Sequence, residues 1–158
     1  MSDPKTEYAV RDGVARSLAI VGLSGMALIH LLDVQSKFQE LPYMGVMYVG
    51  LIVSALVLAG LLLRSSDRRT WLVAGLLPAI VIVGYTLTRT TGLPQDSGDI
   101  GNWSEPLGIA SLFVEGLLVA LSGAVLVSRS IAREPAASVA RHRHAARAPG
   151  VEAPGLEG

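Results

Sequence analysis

Residues 44–63 read MGVMYVGLIVSALVLAGLLL, twenty consecutive positions without a charged side chain. A helix rises about 1.5 Å per residue, so ~20 apolar residues cross a ~30 Å hydrocarbon core. The few polar residues do not recur at the spacing of a soluble amphipathic helix. Three further stretches of similar length lie around this one: Ser17–Val34, Trp71–Leu87 and Leu107–Val127. The pattern predicts an all-α protein, an integral membrane four-helix bundle of antiparallel up-down-up-down topology.

The composition agrees with that class. Apolar residues make up 51% of the chain, a level ordinary for a small polytopic membrane protein, and four spans with short connections leave no room for a separate soluble domain. Net charge is zero, so nothing in it points to nucleic acid. The absence of cysteine excludes disulfides, thiolate zinc sites and cysteine-ligated iron–sulfur clusters. Eleven arginines against two lysines, with abundant Ala, Gly, Leu and Val, suggest a high-GC bacterial source.

The distribution of charge orients the bundle. Lys5, Arg11 and Arg16 precede the first span, Arg64, Arg68 and Arg69 join the second to the third, and Arg129, Arg133, Arg141, Arg143 and Arg147 follow the fourth. The other two connections hold only Lys37 and Arg89. Eleven basic residues against two on alternate sides predict a plasma-membrane protein with both termini cytoplasmic. Trp71 at one boundary, with Tyr43 and Trp103 at the other, are expected as interfacial anchors. The first span is too long for a signal-peptide core, and Asp33-Val34-Gln35-Ser36 after it is no cleavage site, so it is read as retained.

The expected organisation is a cytoplasmic arm over 1–15, a bundle over 16–128 and a cytoplasmic tail over 129–158 that loses order from about 134. The spans fall at about 17–34, 44–63, 71–87 and 107–127, with an outer loop over 35–43 and a second over 90–105. Ser104-Glu105-Pro106 reads as a helix start, with a serine cap, an acid at the positive end of the dipole and proline in the first turn. His142 and His144 read as part of a solvated basic tail near anionic lipid. The two halves share no matching residues, which gives no support to an inverted-repeat transporter.

Ionisable groups inside a bilayer cost ~3 kcal/mol on insertion scales, so each one needs a reason. Glu115 lies nine residues after Pro106, about 13 Å down the fourth span at helical rise. Gly108, Ser111, Glu115 and Ser122 share one side of that span, a side that must look into the bundle. Met26, His30 and Asp33 share a face near the outer end of the first span. Met44, Met47 and Tyr48 lie at that level on the second, and Tyr85 and Arg89 on the third. The polar and sulfur groups thus gather in the outer half, while the inner half is almost wholly aliphatic.

Two readings of this cluster stand side by side. In the first, His30, Asp33, Tyr85, Arg89, Glu105 and Glu115 form an ion-pair network that fixes helix order, with Arg89 neutralising Glu115 or Glu105. In the second they form a site, open to the outside, for a small ligand or partner. Thioether and imidazole together suit copper(I), which makes Met26, His30, Met44 and Met47 a candidate metal set. A methionine stripe at helical spacing is more often plain packing. Heme held across the membrane by two histidines finds little support because His30 is the only histidine in a span, and five-coordinate heme on His30 stays open. A proton relay would need polar steps through the inner half, where Ser54, Ser122 and a few glycines are all there is. No catalytic triad, metalloprotease helix or nucleotide loop is present, so the reading leans away from an enzyme. Gly116, Ala120 and Ala124 form a small-residue stripe suited to another span or to a second copy of the chain, the lipid bilayer being the other partner.

The stretch Arg89-Thr90-Thr91-Gly92-Leu93-Pro94, followed by Trp103-x-Glu105-Pro106-Leu107-Gly108, Ser111-Leu112 and Glu115, resembles a set of small four-span actinobacterial membrane proteins. The resemblance covers roughly residues 16–128. It implies a bacterial plasma-membrane location and a four-helix bundle, and brings no activity, substrate or cofactor with it.

Overall fold

A computed structural model describes residues 3–95 and 97–146. It contains four helices: α1 (Pro4–Glu40), α2 (Pro42–Arg64), α3 (Arg68–Thr90) and α4 (Pro106–Ala146). Each contains a segment long and apolar enough to cross a membrane. The chain divides into two compact units, Met1–Leu126 and Val127–Gly158. The first holds α1, α2, α3 and α4 as far as Leu126. The second carries the remaining turns of α4 to Ala146.

The helices reach further than the apolar spans alone. The arm before Arg16 is helical from Pro4, because Asp3 caps the first turn at the amide of Lys5, Pro4 suits the first helical position, and Arg11 reaches back to Glu7. The loop expected over 35–43 shrinks to Leu41 alone. Lys37 and Glu40 form a pair one turn apart, and the helix stops only where Pro42 forces the preceding residue into an extended conformation. At its far end α4 runs on to Ala146; residues 147–158 lie outside the described residues.

Asp67 starts α3 by accepting the amides of Arg69 and Thr70, and α3 runs through the buried Pro78. The first turn of α4 is closed by the amide of Ile109 on the carbonyl of Glu105. Glu105, rather than Ser104, therefore takes the capping position, and its side chain is turned elsewhere.

In lipid, packing depends on close fit between small and branched residues rather than on exclusion of water. A Cβ added to Gly22 would come within 2.8 Å of Leu118, and one added to Gly75 within 2.9 Å of Ser122, so α4 crosses both α1 and α3 at contact distance. Ala19, Leu23, Ala55, Leu62, Ala74 and Leu118 fill the centre. Large apolar side chains such as Val21, Leu32, Val46, Leu63, Leu76 and Phe113 point outward, as a helix facing acyl chains requires. Gly116, with no neighbour within 4 Å of an added Cβ, and the exposed Ala120 and Ala124 also lie on the open side of α4.

The end formed by Ser65–Asp67 is the turn end. There the guanidinium of Arg16 donates to the carbonyls of Leu62 (2.8 Å) and Leu63 (2.7 Å), which have no helical partner at the close of α2. The indole of Trp71 donates to Ser66, which donates to Asp12. Trp71 is fully buried and belongs to the core. Its expected role as an interfacial anchor is thus corrected: the ring fills the bundle and its N–H is satisfied inside it. Tyr43 and Trp103, at the opposite or loop end, are exposed.

Candidate functional site: a cavity at the loop end

The periodicity of α4 puts Ser111, Glu115 and Ser122 on its buried side. Glu115 is wholly inaccessible. Its Oε1 accepts the hydroxyl of Ser111 one turn earlier, at 2.6 Å, while Oε2 is buried without a hydrogen-bond partner. Across from it on α1, His30 Nδ1 lies 2.9 Å from the carbonyl of Met26. A carbonyl only accepts, so Nδ1 carries the hydrogen and a neutral ring keeps its lone pair on Nε2. That Nε2 stands 3.9 Å from Glu115 Oε1, and the ring edge of His30 meets Tyr48 of α2 at 4.9 Å between centroids.

Arg89 ends α3 and is almost fully buried. Its guanidinium pairs with Glu105 and, at 2.5 Å, with Asp99, while Tyr85 presents its ring face 4.7 Å away. The Arg89 carbonyl accepts the amide of Gly101, whose φ of +82° is a left-handed conformation that glycine adopts without strain. Lys37 of α1, also buried, bonds Glu40 at 2.7 Å and lies 3.8 Å from Asp99. Tyr43 donates to the carbonyl of Pro94 at 2.8 Å. The loop between α3 and α4 is thereby fastened to all three preceding helices.

Beneath this loop lies a cavity of about 370 Å³. All four helices line it. His30, Asp33, Tyr85, Arg89, Glu105 and Glu115 are all at its wall, as are Met44 and Met47. Met26 is not: its side chain belongs to the packed core, and its part in the site is the carbonyl that orients His30. Arg89 pairs with Glu105 rather than with Glu115, and the described ion pairs join His30 to Glu115 and not to Asp33. Met47 and Ser54 of α2 and Ile80 of α3 line the cavity and are also exposed, so it reaches the surface between these two helices.

Asp99 and Lys37 were not legible as site residues. Asp99 lies in a loop rich in glycine and proline, where no periodicity assigns it a neighbour. The available signal was charge balance, since a buried arginine at the end of a span requires acids close by.

Among the described residues, no group of three or more histidine, aspartate or glutamate side chains is arranged to hold a metal ion. Comparison with protein-family models, with curated proteins and with solved structures finds no match, and the cavity itself is the ground for a functional reading.

Proposed function

We propose that this is a small-ligand-binding protein of a bacterial plasma membrane, with both termini cytoplasmic and the loop end facing outward. The observation that carries the binding role is Glu115 Oε2, a polar atom buried at the wall of a 370 Å³ cavity with no partner in the protein. Buried polar groups are nearly always satisfied, and an exception at a cavity wall supports a binding role. The basic-residue asymmetry supports the orientation, and the resemblance of residues 89–115 supports the bacterial setting.

The alternative, a role in handling copper or heme, draws on His30 Nε2 with Met44 and Met47 at the same wall. It has weaker support, because the fourth donor, Met26, is packed into the core. Self-association through Gly116, Ala120 and Ala124 rests on their position at the open side of α4.

Native mass spectrometry of the full chain released from its own membranes tests the binding role. Gly84 lines the cavity and has no neighbour within 4 Å of an added Cβ, so Gly84→Leu should fold and fill the space. A bound molecule on the wild type that is lost from Gly84→Leu is the expected result. An adduct-free wild type, or an adduct indifferent to Gly84→Leu, would remove the ligand reading.

A further inference from the structure

Resting on the ligand-cavity reading, we infer that the ligand is an amphipathic organic cation, an alkylammonium group on an apolar body, whose charged head pairs with Glu115. The charge lining the cavity is unbalanced. Asp33, Asp99, Glu105 and Glu115 face it, against Lys37 and Arg89. Both cations are already engaged, Arg89 by Asp99 and Glu105, and Lys37 by Glu40 and Asp99. Asp33 holds the hydroxyl of Ser36 and Glu115 that of Ser111, so neither carboxyl has a cation in hydrogen-bonding contact. Glu115 Oε2 lacks a donor, and an ammonium offers three N–H groups to a carboxyl and an imidazole lone pair together.

The walls settle what carries the charge. A hard metal cation takes six or more oxygen ligands, which Glu115 and Ser111 do not supply. Between α2 and α3 the lining is instead mostly apolar, with Met47, Leu51, Leu77 and Ile80 beside the single hydroxyl of Ser54. A molecule dissolved in the bilayer can enter there head first and keep its apolar part against those side chains. Tyr48 also lines the cavity, and the aromatic ring it brings is of a kind that attracts cations.

Three probes of one shape separate charge from fit: 4-phenylbutylamine, 4-phenylbutan-1-ol and 4-phenylbutyrate. Each is titrated by equilibrium dialysis into the full chain in phosphatidylcholine nanodiscs. The amine should bind saturably and at least about tenfold more tightly than the alcohol, the margin of one charge-assisted hydrogen bond, and the carboxylate should not bind. Glu115→Gln should remove the amine's advantage while leaving alcohol binding intact, which also shows that the variant is folded; if it does not fold, the wild-type comparison decides alone. Repeating the titration with phosphatidylethanolamine in the disc distinguishes two sources of the same group: suppression of amine binding identifies the lipid headgroup, and no change identifies a free amine. Equal binding of amine and alcohol would overturn the cation inference and leave the ligand cavity standing. Absence of saturable binding by any probe would overturn both.

Discussion

Arg89, on the last turn of α3, is paired with Glu105, the residue that caps α4, so one half-buried contact ties together both ends of the connection between the two helices. Asp99, near the middle of that connection, joins the same guanidinium. Arg89→Gln should lower stability by about 1.5–3 kcal/mol, the scale for hydrogen bonds to charged groups, whereas Glu105→Gln should cost less because Asp99 still holds the arginine. The Arg89/Glu105 double variant should be milder than the sum of the singles, and an Arg89/Glu115 cycle should be additive. Thermal unfolding of both cycles in detergent measures this; coupling confined to Arg89 and Glu115 would contradict the pairing.

Gly108 is covered by the Tyr85 ring, whose nearest atom would lie 2.6 Å from an added Cβ. Gly108→Ala should therefore destabilise by about 1–3 kcal/mol through overpacking. It should also push Tyr85 away from Arg89 and Trp103, which its ring meets at 6.1 Å between centroids. The penalty should shrink in a Tyr85→Ala background. An equal penalty in both backgrounds would show that the ring is not the obstacle.

At the turn end, Arg16→Ala leaves two helix-terminal carbonyls of α2 without their donor and should cost about 1.5–3 kcal/mol, the range for bonds to a charged group. Arg16→Lys should recover only part of this, because an ammonium does not reproduce the fork that reaches Leu62 and Leu63 at once. Chemical unfolding of the three proteins provides the comparison, and full recovery by lysine would argue against the two-carbonyl contact.

Asp67 is held below the ordinary aspartate range, first by the amide of Thr70, then by the Thr70 hydroxyl and the amide of Arg69. Its folded-state value is the lower one. The stabilisation it brings is therefore present above the unfolded-state value and is lost as pH falls through the folded-state value. Asp67→Asn, which cannot titrate, should flatten this part of the acid dependence. The readout is the difference in thermal midpoint between wild type and variant from about pH 7 down to about pH 3; a difference constant across that range would sink the assignment.

For orientation, Ser65 and Ser97 are exposed at opposite ends of the bundle, whereas Ser66 is engaged by Asp12 and Trp71. Single cysteines at Ser65 and Ser97 should react from opposite sides of intact cells, Ser97→Cys with an impermeant reagent added outside. Outside labelling of Ser65→Cys would reverse the proposed topology.

What the sequence disclosed follows from which properties are one-dimensional. Span length and freedom from charge are read directly, and they suffice for four apolar helices. The four-residue spacing of Ser111 and Glu115 was enough to put both on one buried face. Partner choice was not legible in the same way. Arg89 has acids available both on a helix and in a loop, and the loop route through Gly101 depends on a left-handed residue that no periodicity reveals. Trp71 illustrates a second limit: an indole near a span boundary suits either the interface or a core with an acceptor nearby, and Ser66 supplies that acceptor.

The packed section below Glu115 bears on traffic across the membrane. Leu23, Ala55, Leu58, Leu62 and Leu118 close the bundle on the turn-end side. Ser122, buried and without a hydrogen-bond partner, offers no continuous polar route through them. On the proposed ligand reading, a molecule at Glu115 would come and go by the gap between α2 and α3, and passage onward to the turn end would require the contacts of Gly22 with Leu118 and of Gly75 with Ser122 to come apart.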